Sequence, residues 1–135
     1  MNIKVELFKE NFFEALSAGV YEASVECRGR TRVLYIGESV YPLVRCAIHL
    51  YEFKKAPEYF GFTERTIGCE DVTLRFSLVD NCEDEILRGK VEKRLIKEKN
   101  PLSQSGRGDS MKGISDKIDA VDQFLKECGV ELSKE

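Results

Sequence analysis

The sequence predicts an α/β chain of the α+β kind, in which a small three-stranded antiparallel sheet is flanked by helices. Three observations predict it. Residues 19–37 alternate in the two-residue period of strands, first Tyr21, Ala23, Val25 and Cys27 against Val20, Glu22, Ser24 and Glu26, then Val33, Tyr35 and Gly37 against Arg32, Leu34 and Ile36. Residues 71–79 alternate again, with Val72, Leu74, Phe76 and Leu78 on one side. Between and after these runs, residues 40–53 and 83–99 carry apolar residues at helical spacing. The order is β-β-α-β-α, with an extra helix expected at each end of a single domain that spans 1–135, its core at about 18–104.

Taken in order, residues 7–17 place Phe8, Phe12, Ala15 and Leu16 close to one helical face, which predicts a short N-terminal helix ended by Ser17-Ala18-Gly19. The hairpin turn falls at Cys27-Arg28-Gly29, where Gly29 can take the left-handed conformation of a three-residue loop. That register sets Tyr21 directly opposite Tyr35, both rings on one face. Ser39 is placed to cap a helix from Val40 to Phe53, with Pro42 in its first turn and Val44, Ala47, Ile48 and Tyr51 as its apolar stripe. Arg45 and His49, four apart, share a neighbouring face. Residues 54–70, punctuated by Pro57, Gly61 and Gly68, read as a lid or connecting insertion in which Tyr59, Phe60 and Phe62 cluster. A second long helix runs from Glu83 to Lys99, capped by Asp80 or Asn81 and stopped before Pro101, with Leu87, Val91 and Leu95 as its apolar row. Residues 103–113 form a Ser- and Gly-rich loop, and Ile114, Ile118, Val121, Leu125 and Cys128 mark a C-terminal helix over about 113–128.

Composition narrows the functional classes. A net charge of −3 excludes a protein that coats nucleic acid through overall basicity, though not one with a local basic groove. Five scattered Cys without a C-x-x-C pair do not make a disulfide framework, and no stretch reaches signal-peptide or membrane-span length. The expectation is a reduced, cytoplasmic protein with no membrane partner. Cys46, His49, Cys69 and Cys82 are too irregularly spaced to predict a zinc site. The tripeptide Arg107-Gly108-Asp109 in a Gly-rich loop carries no adhesive meaning without secretion.

The residues that stand out chemically are two Tyr on one hairpin face, an Arg and the chain's single His one helical turn apart, and Glu92 on a later, basic helix. Each has an ordinary reading: strand tyrosines commonly pack, and Glu92 could be a solvated residue paired with Arg88 one turn earlier. Together they supply the parts of a phosphodiester hydrolase: a carboxylate for Mg²⁺, a guanidinium for a phosphate and a group to take a proton from water.

The elements Gly19-Val20-Tyr21, Tyr35-Ile36-Gly37, Arg45-x3-His49 and Glu92-x2-Leu95-Ile96-x4-Pro101-x2-Gln104 resemble the GIY-YIG nuclease superfamily over roughly residues 18–104. The resemblance implies a divalent-metal-dependent endonuclease that uses Mg²⁺ or Mn²⁺. In it Glu92 holds the metal and Arg45 the scissile phosphate. Tyr21 and Tyr35 position or deprotonate water, and His49 assists proton transfer. Gln104 stands where the family often has Asn and, with Gly37, would support the site. Arg30, Arg32, Arg88 and Lys93 lie in a basic stripe suited to DNA phosphates. The implied partner is DNA, branched or single-stranded, with targeting by substrate shape or a partner protein. Tyr59, Phe60 and Phe62 could stack on an exposed base. The alternatives are a non-cleaving nucleic-acid-binding module on the same fold and a protein-interaction domain.

Overall fold

The computed structural model describes residues 2–105 and 110–132. Arg107, Gly108 and Asp109 lie outside them, as does the middle of the loop expected over 103–113. The elements are β1 (Lys4–Leu7), a 3-10 turn (Glu14–Leu16), β2 (Gly19–Cys27), β3 (Arg30–Ser39), α1 (Pro42–Lys55), a second 3-10 turn (Pro57–Phe60), β4 (Val72–Asn81), α2 (Glu85–Lys99) and α3 (Ile114–Glu127). This is a mixed α+β arrangement, but its sheet has four strands, in the order β1-β4-β2-β3, rather than three. β2 pairs antiparallel with β3 and with β4, while β1 lies parallel to β4 from Lys4↔Thr73 to Leu7↔Phe76.

The added strand lies ahead of the N-terminal helix expected over 7–17, sharing only Leu7 with it, and that helix is reduced to a 3-10 turn. Phe8 has a φ of 48°, which ends β1, and its ring is fully buried. Only Glu14–Leu16 coils, and of the expected apolar face Phe12 and Leu16 are exposed. Four residues pairing over a long sequence separation leave little periodicity to read, whereas Phe8 and Ala15 are buried whichever way the segment folds.

The hairpin register also differs from expectation, by two compensating steps. The turn has two residues, Arg28 and Gly29, with φ of 52° and 82°, so Cys27 pairs with Arg30. Two positive φ values match the twist of the flanking strands, which makes this the favoured two-residue connection. The shorter turn moves the register by one, and a bulge at Leu34 between Ala23 and Ser24 moves it by one more. A slip of one would send Tyr35 through the sheet. A slip of two keeps it beside Tyr21, which now faces Gly37, while Tyr35 faces Ala23. Val33, before the bulge, goes to the other face and packs with Val20 and Ile36.

The two faces of the sheet are covered differently. Tyr21, Ala23, Val25, Cys27, Leu34 and Tyr35 join the main core with residues of α1, α3 and the segment between α1 and β4. Val20 and Ile36, which alternate with the tyrosines, form a smaller core with Leu95 and Ile96 of α2. Phe60 and Phe62 are wholly buried in the main core. They are structural and not presented to a base, because the segment expected to be a lid folds inward.

Two helix faces differ from those expected. In α1 the buried residues are Pro42, Cys46, His49 and Phe53, whereas Val44, Ala47, Ile48 and Tyr51 face outward. The apolar count favoured the wrong stripe because a His and a Cys occupy the inward one. α1 begins two residues later than expected: Ser39 Oγ accepts from Tyr41 N at 2.9 Å and shapes the approach, while Tyr41 is the cap without a side-chain bond. In α2 the inward row is Arg88, Glu92, Leu95 and Ile96, and Leu87 is exposed. Its cap is Asp84, which accepts from Leu87 N at 2.8 Å, since β4 runs on through Asp80 and Asn81. Asn100, with φ of 47°, closes the helix before Pro101. In α3 Val121 and Leu125 are buried as expected, joined by Phe124 and Lys117. No helix among the described residues is long and apolar enough to cross a membrane.

Candidate active site

Gly19 and Gly37, at the ends of the two tripeptides, allow the close approaches on which the site depends. A Cβ on Gly19 would stand 2.5 Å from the carbonyl oxygen of Asp80, so β2 could not pair with β4 there. A Cβ on Gly37 would stand 2.5 Å from Cζ of Tyr21 and 3.0 Å from Cε2. The Tyr21 ring therefore lies across Gly37, in space that a side chain would fill.

From that position the Tyr21 hydroxyl reaches His49 Nε2 at 2.8 Å, and His49 Nδ1 reaches the Tyr59 hydroxyl at 2.7 Å. Tyr35 completes the cluster, its ring centroid 5.0 Å from that of His49 and 6.4 Å from that of Tyr21. Tyr21 and His49 are each 1% exposed, so their polar atoms depend on one another for hydrogen bonding. Arg45, one turn before His49 on α1, is exposed and lies beside the phenols and the imidazole.

Burial governs the protonation of this cluster. Desolvation lowers His49 to about 4, and the Arg45 charge adds to the effect, so the ring is neutral at pH 7. Desolvation raises Tyr21 far above the usual phenol value; the Cys46 thiol and Tyr35 act in the same direction, and Arg45 opposes them. Tyr59 is raised by desolvation and pulled back by Arg45. Buried Cys46 is likewise held as the thiol. A neutral imidazole joined to two protonated phenols, with a guanidinium at the mouth, can hold an anion and pass a proton inward without forming a free phenolate.

Glu92 and Gln104 arrive from the other end of the chain. Glu92 sits in the inward row of α2, 7% exposed, so it is not a solvated helix residue. α2 lies mainly against β3, but Leu95 and Ile96 of its inward row pack with Val20 and Ile36, on the face of the sheet opposite Tyr21 and Tyr35, so Glu92 is not part of the hydrogen-bonded Tyr-His-Tyr cluster. Gln104 is buried and grips the outer edge of β3: its Oε1 accepts from Ile36 N at 2.9 Å and its Nε2 donates to Ile36 O at 2.7 Å. Leu102 N and Ser103 N bond Val33 O and Leu34 O just before it. The side chain thus continues a backbone ladder, and an amide is the group that can both give and take there.

The basic stripe is only partly free. Arg88 is 4% exposed, pairs with Glu38 and donates to the carbonyls of Cys82 and Glu83. It is a clamp between α2 and β3, not the phosphate contact expected of it. Arg32 donates to Asn100 O at 3.2 Å, whereas Arg30 and Lys93 are exposed. Tyr59 was read from the sequence only as an aromatic that could stack on a base with Phe60 and Phe62; its bond to His49, ten residues earlier, left no signal in that irregular segment. Among the described residues no group of three or more His, Cys, Asp or Glu is placed to hold a metal ion.

The fold and site together define a mixed α+β domain with a buried Tyr-His-Tyr chain opening at an arginine. Comparison with protein-family models, curated proteins and solved structures gives no match.

Proposed function

We propose that the chain is a divalent-metal-dependent endonuclease of the GIY-YIG type that hydrolyses phosphodiester bonds of DNA. The observation that carries this reading is the buried chain of hydrogen bonds from Tyr21 through His49 to Tyr59, with Arg45 at its open end. A packing role for Tyr21 would not require its hydroxyl to meet the only His in the sequence.

Arg45 binds the scissile phosphate and offsets the charge that grows on its oxygens. A water in line with the phosphorus gives its proton to the Tyr21 oxygen as Tyr21 passes its own to His49 Nε2. A free phenolate is never needed, which suits a phenol whose burial disfavours ionisation. The P–O bond to the leaving sugar oxygen breaks as the new P–O bond forms, and that oxygen takes a proton from solvent. The imidazolium returns its proton to water through the same path. Tyr35 packs against the imidazole. Glu92 is the residue that would hold Mg²⁺ or Mn²⁺. A single carboxylate could hold such an ion only if water and substrate supplied its other ligands. Such an ion supplies Lewis-acid stabilisation of the transition state.

The test is to incubate the protein with plasmid, branched and single-stranded DNA with Mg²⁺ or Mn²⁺, beside Arg45→Ala and Glu92→Ala. Cutting lost in both variants supports the reading. Binding without cutting in the parent protein favours the non-cleaving module, and absence of binding refutes both. The outward apolar face of α1, with Val44, Ile48 and Tyr51 exposed, favours a partner protein as the targeting device.

A further inference from the structure

The hydrogen-bond chain has a direction that the heavy atoms alone do not give. Tyr21 is 1% exposed, so its O–H proton needs an acceptor within the protein. His49 Nε2, at 2.8 Å, can supply one. The neighbouring Arg45 cannot, since a guanidinium only donates. With Tyr21 donating to it, Nε2 is the unprotonated nitrogen. His49 is neutral near pH 7, so the ring proton sits on Nδ1 and points along the 2.7 Å contact to the Tyr59 oxygen.

Tyr59 is held firmly enough to act as that acceptor. Lys117 of α3, 6% exposed, donates its Nζ to the Tyr59 carbonyl at 2.8 Å and to Met111 Sδ at 3.2 Å. The same ammonium stands 5.4 Å from the centroid of the Tyr59 ring, a cation–π distance. The Phe60 ring packs edge-on at 4.9 Å between centroids. The short turn Pro57–Phe60 is thus fastened from the C-terminal helix, and Tyr59 itself is only half-buried.

We propose that Tyr59 is a positioning residue: its hydroxyl accepts the Nδ1 proton of His49 and holds the ring in the tautomer whose Nε2 faces Tyr21. α3 enters the site through this contact, with Lys117 fixing Tyr59 and Tyr59 fixing His49. Any kinetic consequence rests on the nuclease reading above; the tautomer does not.

Because His49 is the only His in the chain, its ring can be observed alone in protein labelled with ¹⁵N-histidine. Long-range ¹H–¹⁵N correlation spectra at pH 7 should show Nδ1 as the protonated nitrogen and Nε2 as the bare one. Tyr59→Phe removes one oxygen and keeps the ring in its packing. It should move the pair toward the opposite tautomer or an averaged mixture, with an unchanged circular dichroism spectrum. Lys117→Met leaves the Tyr59 hydroxyl in place but frees its backbone, and should give a smaller shift in the same direction. If the parent protein carries its proton on Nε2, or if Tyr59→Phe leaves both nitrogen shifts unchanged, the proposal is overturned. Where DNA is cut, Tyr59→Phe should lower the single-turnover rate about tenfold, the scale of one oriented hydrogen bond, with little change in DNA affinity. A protein that cuts no DNA yet shows the expected tautomer refutes the nuclease reading and leaves the role of Tyr59 standing.

Discussion

Gly37→Ala is the most demanding single change the site offers. The new methyl would sit 2.5 Å from Cζ of Tyr21, against about 3.5–4 Å for carbon atoms in ordinary contact. The ring must therefore retreat by about 1 Å. It has nowhere to go, being 1% exposed and bonded to His49 Nε2 at 2.8 Å, and a further 1 Å would stretch that bond beyond about 3.5 Å and break it. Overpacking costs about 1–3 kcal/mol, and a buried hydroxyl left without a partner costs about 1–3 kcal/mol more. The sum, about 2–6 kcal/mol, should be measured by urea unfolding with the slope checked for constancy. The same change made in a Tyr21→Leu background should cost under about 1 kcal/mol, because the atoms it collides with are gone. Equal costs in the two backgrounds, or a cost below about 1 kcal/mol in the parent protein, would refute the placement of the Tyr21 ring over Gly37.

Three other outcomes follow from the geometry. His49 has a folded value of about 4 against an ordinary value near 6.5, so the unfolded chain binds the extra proton between those pH values, and stability must rise with pH across that window. The parent protein should lose about 2 kcal/mol from pH 7 to 5 relative to His49→Gln, read as the difference of two denaturation series so that effects of carboxylates and of neighbouring Arg45, Tyr21, Tyr35, Cys46 and Tyr59 cancel. Gln104→Leu strips the buried Ile36 N–H and C=O of their partners, should cost about 2–4 kcal/mol, and should speed hydrogen exchange at the Ile36 amide. Arg45→Ala, at an exposed helix position, should change stability by less than about 0.5 kcal/mol while lowering DNA cleavage at least about 100-fold in a single-turnover assay.

The sequence was most legible where local chemistry and tertiary demand agree. β4 and α3 follow their periodicity, and Tyr21 and Tyr35 share a face as read. The register between them was not legible, because neither turn length nor a bulge at Leu34 leaves an alternation of its own; two errors of one residue cancelled in parity. α1 misled for a different reason. Val44, Ala47, Ile48 and Tyr51 were read as the core stripe, while the inward row includes a His, which no apolar count selects. Arg88 failed as a phosphate ligand because a charge run does not reveal which member finds a carboxylate and two carbonyls nearby. Gln104 was singled out only by the resemblance, at the place where that family often has Asn; its two hydrogen bonds to Ile36 could not be read from the sequence.

The two rims of the sheet are unequal. β3 is sealed along its middle by the Leu102 and Ser103 amides and the Gln104 side chain, which occupy groups that another strand would use. β1, at the far side, is four residues long and, among the described residues, has β4 as its only strand neighbour. Extending a ribbon from molecule to molecule requires two open borders on each copy, one to receive and one to offer. Among the described residues one border is left uncovered along its length and the other is blocked at its centre, so strand-to-strand joining favours a pair of molecules back to back over a growing fibre.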